Sequence, residues 1–273
     1  MMGGTKRDHD GRSRSPPPAS PFMPIFETFR NELDEHHDRR ERIIKASRDV
    51  TAASKKMIFS LQRVKKVRGE LPERINKEVQ GHFNTIVTTL ESISGDLQGI
   101  NAWRYRRQIT GGLQEFIEAA TFKHYLETQT LLTVDAAAAA VPGGVQLTED
   151  DYLLGIFDLV GEMMRFAITT MATSGELPGN TADSEDGREI SESNILSDLR
   201  ELRTQFAALD TTTSSGNGLG RDVEKKLEVM NTCVEKVENA VYGLIIRGRE
   251  RPKGWMPDLG DDSGRGREPV ESY

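Results

Sequence analysis

Residues 152–168 read Tyr-Leu-Leu-Gly-Ile-Phe-Asp-Leu-Val-Gly-Glu-Met-Met-Arg-Phe-Ala-Ile, and this stretch decides the fold. It is apolar nearly all round and shows no alternation of period two, so we predict a helix buried inside a helical bundle. Asp158 and Glu162 are four residues apart and therefore share one face of that helix. Because burial of carboxylates without partners costs several kcal/mol, these two acids require protons, cationic partners or a metal ion.

A second helix repeats this anomaly. In Leu113-Gln-Glu-Phe-Ile-Glu-Ala-Ala-Thr-Phe122, Glu115 and Glu118 are three residues apart among apolar neighbours. Packing of the two helices against each other would gather four carboxylates, and hard divalent cations relieve their repulsion because such cations prefer oxygen ligands. A site of this kind activates water and stabilises a phosphoryl transition state.

The same four acids have two other interpretations. They form buried ion pairs if arginines reach them: Arg165 is placed one turn after Glu162, and Arg106 or Arg107 would reach Glu115 or an acid on another helix. A di-iron bundle is the second alternative, but its signature has a His three residues after a Glu, and no Glu of the cluster is followed by such a His. Spacing alone leaves metal binding and ion pairing open.

The remaining sequence is also helical in pattern, so we predict an all-α fold. Thr148 is the predicted N-cap of the buried helix, and the three acids after it lie at the positive end of that helix. The last helix has a heptad seam from Val223 to Leu244. Residues 22–251 are expected to form the α-helical domain, with disordered tails at 1–21, which is basic, and 252–273. The predicted helices cover about residues 26–68, 72–94, 103–129, 148–173, 191–209 and 223–247, with an Ala-rich connector at 130–147.

The charge balance is unfavourable for a nucleic-acid-binding protein. The net charge is −7, from 36 Lys and Arg against 43 Asp and Glu, whereas binding to phosphates normally demands a basic surface. Binding to nucleic acid would therefore need a local basic patch or a basic partner. We expect no membrane span, because no run of about 18 apolar residues is present, and no secretory signal. The single cysteine, Cys233, favours a reducing intracellular compartment.

Basic segments are the candidates for contact with nucleic acid. Trp103-Arg-Tyr-Arg-Arg107 opens the third predicted helix, and aromatic and arginine side chains together suit single-stranded nucleic acid. We select Arg104, Arg106 and Arg107 for phosphate contacts, against the alternative of a solvated helix start. The tail cluster Lys6, Arg7, Arg12 and Arg14 fits a nuclear-import signal or a solvated tail. We interpret the remaining basic residues of the first predicted helix as a solvated face: Lys55, Lys56, Arg63, Lys65, Lys66 and Arg68.

Several motifs in this order resemble the translin family, over about residues 25–252. The resemblance is to the branch of the family that associates with translin, because translin itself lacks the acids of the third helix. The most recognisable motifs are Glu32-Leu-Asp-Glu-His-His-Asp38, Ser47-Arg-Asp-Val-Thr51, Gly112-Leu-Gln-Glu-Phe-Ile-Glu-Ala119 and Asp151-Tyr-Leu-Leu-Gly155 through Gly161-Glu-Met-Met-Arg165. The sequence departs from the family pattern at two places. The connector at 130–147 is shorter and more Ala-rich than in the family, and the cluster before Glu115 has more arginines.

The resemblance implies a bundle of about seven helices with a long N-terminal helix, assembled with translin into a closed hetero-octameric shell. It also implies Mg²⁺-dependent endonuclease activity on single-stranded RNA, with Mn²⁺ and single-stranded DNA as alternatives, in cytoplasm and nucleus. The associated processes are removal of the passenger strand of small interfering RNA and processing of transfer-RNA precursor fragments. Both metal ligation and catalysis would fall on Glu115, Glu118, Asp158 and Glu162.

A second hypothesis is a non-catalytic helical partner that stabilises translin and tunes its binding to nucleic acid. It predicts that replacing the four acids changes assembly or stability rather than chemistry. A metal-storage or redox bundle is a third interpretation, which would show stoichiometric iron on purification.

Overall fold

The computed structural model describes residues 20–179, 194–209 and 219–247. Across these ranges it contains no strand, and the all-α prediction is confirmed, with a first helix 39 residues long. None of the helices described is both long and apolar enough to cross a membrane. The α-helices are α1 (Met23–Leu61), α2 (Glu73–Ile93), α3 (Ile100–Arg104), α4 (Arg106–Thr128), α5 (Val134–Ala140), α6 (Glu149–Ser174), α7 (Ile195–Ala207) and α8 (Leu219–Arg247).

Both predicted tails fall outside the described residues, apart from residues 20–21. The basic cluster from Lys6 to Arg14 lies in the same undescribed segment. The predictions of disorder and of a nuclear-import signal therefore stay predictions.

Two predicted helix boundaries are wrong. α1 ends at Leu61 rather than near Arg68, because the N–H groups of Arg63 and Val64 donate to carbonyl groups three residues back instead of four. Arg68 itself has a left-handed backbone conformation (φ 60°) and donates its N–H to the carbonyl of Leu126 at 2.9 Å. The third predicted helix is two helices, because the backbone leaves helical geometry at Tyr105 (φ −104°, ψ 9°), whose side chain is buried. The short α3 thus carries Trp103 and Arg104, and α4 carries the acids.

The chain divides into two units, one up to Arg42 and the other from Ile43 onwards. In the described part of the first unit, α1 has the exposed apolar side chains Phe26 and Phe29 and an ion pair of 2.8 Å between Arg39 and Glu35.

In the second unit, α4 and α6 form the centre of the core. Phe116 and Phe122 of α4 and Phe166 of α6 are almost fully buried, so the predicted burial of the 152–168 helix is confirmed. The heptad seam of α8 faces this core, since its members Val223, Met230, Val234 and Val237 are buried.

Gly155 sets the close approach of α6 to α4. A Cβ atom at this position would lie 2.9 Å from Cγ2 of Ile117 and 3.0 Å from the carbonyl oxygen of Gln114. Both atoms belong to the segment of α4 that carries Glu115 and Glu118, so the absence of a side chain at Gly155 brings the two acid-bearing helices together.

Replacing Gly155 by Ala is expected to lower the free energy of unfolding by about 1–3 kcal/mol through overpacking, although Ala favours helices. Urea denaturation measures the change. Gly161→Ala is the matched control on the same helix, because no atom lies within 4 Å of its Cβ position, and it should be neutral or stabilising. Equal effects of the two substitutions would show that Gly155 does not set the helix contact.

Candidate functional site

Packing of α4 against α6 brings the four predicted acids into one cluster, which we call the acid cluster: Glu115, Glu118, Asp158 and Glu162. Glu118 is its most buried member, with 8% of its surface exposed. Burial, followed by the negative charges of Asp158, Glu115 and Glu162, raises the pKa of Glu118 to about 8. The two helices therefore place the acids close enough to repel one another.

No described residue donates a hydrogen bond to the carboxyl of Glu118. The other three acids each contact a donor. Gln62, directly after α1, donates from Nε2 to Oε2 of Glu162 at 2.6 Å and to the carbonyl oxygen of Glu162 at 2.9 Å. Glu118 therefore depends on its proton, or on added positive charge, for stabilisation.

Two lysines from different helices contact the acid cluster. Nζ of Lys55 on α1 lies 3.1 Å from Oε1 of Glu115, and the ammonium of Lys226 on α8 donates to Oδ1 of Asp158. The hydrogen bond to Glu115 and the charges of Glu115, Glu118 and Asp158 raise the pKa of Lys55. The cluster is thus partly neutralised by two ammonium groups.

The ion-pair interpretation is met in part. Nη1 of Arg165 lies 3.6 Å from Oε2 of Glu162, as the sequence suggested. Arg106 reaches an acid on another helix, Asp150 of α6, which is not one of the four acids. The cation beside Glu115 is Lys55, although the sequence assigned Lys55 to a solvated face.

Sequence reasoning missed three contributors to the site: Lys55, Gln62 and Lys226. A weak signal existed for two of them. Lys55 follows the fully buried Ser54, and Lys226 precedes Leu227 of the α8 heptad seam. Both therefore lie at the border of an apolar face, where a long side chain can reach over buried residues.

The donors of the acid cluster suit Mg²⁺ in kind, because carboxylate oxygens are its preferred protein ligands. In their present arrangement, no group of three or more His, Cys, Asp and Glu side chains among the described residues could hold a metal ion. The lysine ammoniums lie against two of the four carboxylates. A cation binding here would have to compete with these lysines.

The three arginines selected for phosphate contacts differ in their surroundings. Arg106 donates from Nη2 to Oγ1 of Thr148 and to Oδ2 of Asp150, both at 2.9 Å, and so holds the start of α4 to the start of α6. Arg104 and Arg107 are exposed. Trp103, beside them, is 80% exposed.

Comparison with known proteins gives consistent relatives. The sequence model of the Translin family matches residues 38–248. The chain is 31% identical to translin-associated protein X of Rattus norvegicus, over 94% of this chain and 92% of that protein. It is also 31% identical to the translin-associated protein X homolog of Schizosaccharomyces pombe, over 83% and 89% of the two chains. Human translin is 27% identical over 82% and 92%.

Among solved structures, the crystal structure of apo-NeC3PO is similar with a TM-score of 0.59. The match covers 81% of this chain and 97% of that chain at 16% sequence identity. This likeness supports the translin-like fold.

Proposed function

The chain belongs to the translin family, and we propose that it is the catalytic subunit of a Mg²⁺-dependent endoribonuclease that cleaves single-stranded RNA in a hetero-octamer with translin. The acid cluster carries this proposal, because four carboxylates on two core helices are maintained at the cost of a strongly raised pKa for Glu118. A buried acid whose pKa is raised by burial and by neighbouring carboxylates is a candidate for a functional residue. Its proposed roles are removal of the passenger strand of small interfering RNA and processing of transfer-RNA precursor fragments. Its proposed location is the cytoplasm and the nucleus.

Hydrolysis of a phosphodiester needs a group that takes a proton from water and a means of stabilising negative charge. One acid of the cluster would take that proton. The pKa of about 8 that Glu118 has in the metal-free cluster would fall when a cation binds beside it. Glu115, Asp158 and Glu162 complete the set of oxygen ligands. Mg²⁺ bound by these acids would supply the positive charge that stabilises the phosphoryl transition state.

Partnership with translin accounts for the acidic net charge of −7. Because affinity for RNA comes largely from neutralised phosphates, a subunit that contributes carboxylates needs a basic surface nearby. Two relatives carry the name translin-associated protein X, which motivates translin as the partner. The exposed Arg104 and Arg107 are the proposed phosphate contacts on this chain.

The test is co-expression of the chain with translin and an assay of cleavage on a labelled single-stranded RNA. Cleavage is expected with Mg²⁺ or Mn²⁺ and none with EDTA. An assembled complex that binds RNA but does not cleave it in Mg²⁺ would support the non-catalytic partner instead. Stoichiometric iron in the purified complex would support the metal-storage alternative.

Replacing Lys226 by Met is expected to reduce the Mg²⁺ concentration needed for half-maximal thermal stabilisation of the complex, on the order of tenfold, because one competing positive charge is removed from the cluster. Titration of Mg²⁺ with melting curves measures this directly. Lys225→Met is the control, since Lys225 is the exposed neighbour on α8. If both variants titrate alike, Lys226 does not compete with the metal.

A further inference from the structure

Phe59 of α1 is an exposed aromatic side chain in an otherwise buried stretch. It is 65% exposed, whereas its neighbours Ile58, Ser60 and Leu61 are 5%, 3% and 0% exposed. Single exposed apolar residues are common on protein surfaces, so the exposure alone decides nothing. The position of Phe59 relative to the acid cluster gives it significance.

Phe59 lies four residues after Lys55, on the same side of α1. Gln62 directly follows α1 and still donates its N–H to the carbonyl oxygen of Ile58 at 2.9 Å, so it continues this side three residues after Phe59. Lys55 contacts Glu115 of α4, and Gln62 contacts Glu162 of α6. This side of α1 therefore runs along the acid cluster from one acid-bearing helix to the other. Because Phe59 lies between Lys55 and Gln62 on this side and is exposed, its ring is expected at the solvent-facing border of the cluster.

Positive charge surrounds this ring. Lys55 and Lys56 precede Phe59 by one helical turn, and Arg63 follows it by one turn. All three are exposed, although Lys55 and Arg63 also contact carboxylates, of Glu115 and Glu78 respectively. An aromatic face next to cationic side chains is the arrangement by which proteins bind single-stranded nucleic acid, with the base stacked on the ring and the phosphates on the cations.

We propose that Phe59 is a stacking site for an unpaired nucleobase of the RNA strand whose phosphodiester is cleaved at the acid cluster. The inference rests on the proposed function and deepens it, because it identifies a feature that selects single-stranded substrates. Bases in a duplex are stacked on both faces by their neighbours, so only a splayed, unpaired base presents a face to Phe59. Base identity matters little, since every base has a π face.

The first test compares Phe59→Ala, Phe59→Leu and Phe59→Trp in the intact complex with translin. Loss of stacking in the Ala and Leu variants is expected to raise KM for single-stranded RNA about tenfold, whereas Trp retains the wild-type value. Because the side chain is exposed, melting temperature and octamer size should stay unchanged in all three. Tyr242→Ala is the control: Tyr242 is an aromatic side chain 67% exposed, about 24 Å along α8 from Lys226, and its loss should leave KM unchanged.

A second test measures binding in EDTA, without cleavage, to single-stranded RNA oligonucleotides in which one base at a time is removed. Removal of the stacked base should weaken binding to the wild-type complex about tenfold and leave binding to Phe59→Ala unaffected. Equal losses in both complexes overturn the stacking site, as does a Leu variant that binds like wild type. A wild-type complex that binds RNA but does not cleave it refutes the nuclease and leaves this binding test valid. A complex that binds no single-stranded RNA overturns both proposals.

Discussion

Replacing Asp158 by Asn is expected to reduce Mg²⁺-dependent RNA cleavage by the complex with translin about a hundredfold or more. Asn keeps the size and shape of Asp but loses the negative charge, so it is a poor ligand for a hard cation. The side chain of Asp158 is 42% exposed, and Lys226, its partner, can turn to solvent, so folding and assembly should be kept. Initial cleavage rates and the mass of the complex in solution measure the two effects.

The matched control is Glu149→Gln, which removes one negative charge at the exposed start of the same helix. It should cleave RNA at the wild-type rate. If Asp158→Asn and Glu149→Gln are equally active, the acid cluster is not the catalytic site. A double substitution of Glu118 and Asp158 that disrupts the octamer would favour the interaction-protein hypothesis over the enzyme.

The fold and the acids could be predicted because their signals lie within single helices. The segment 152–168 is apolar nearly all round, and such a helix is expected inside a bundle. Against that background Asp158 and Glu162 stand out, and Glu118 does so on α4. The pattern of apolar residues along one helix and the spacing of acids within it are both local properties, so sequence alone reports them.

The partners of the acids could not be predicted, because they depend on the packing of distant elements. Lys55 and Lys226 come from α1 and α8, and they reach the cluster only in the register in which these helices pack against α4 and α6. Along its own helix each lysine is an ordinary polar residue. The break between α3 and α4 at Tyr105 could not be predicted for the same reason, since burial of that side chain is a tertiary effect that overrides helix propensity.

The metal-free protein is expected to lose stability as the pH rises from about 5 to 8. The carboxyl of Glu118 has a usual pKa of 4.5 and a pKa of about 8 in the folded protein. Between these values the folded state keeps a proton that the unfolded state has released. The stabilisation is therefore complete below pH 4.5 and is lost as the pH rises through 8, at roughly 1.4 kcal/mol per pH unit within the window. Melting temperatures in EDTA across this range measure the loss.

Glu118→Gln separates this carboxyl from every other titrating group, because the amide has a similar shape and carries no charge at any pH in the window. The variant should have a much flatter pH profile and should exceed the wild type in stability at pH 8, while losing activity. Glu127→Gln, on α4 but paired with Lys123 away from the cluster, should retain the wild-type slope. At pH 8, added Mg²⁺ should stabilise the wild type more than it stabilises Glu118→Gln, because only the wild type has an ionised Glu118 that can bind the cation. A variant with the wild-type slope in EDTA would show that neither burial nor the neighbouring acids raise the pKa of Glu118, which would remove the basis for a metal site between α4 and α6.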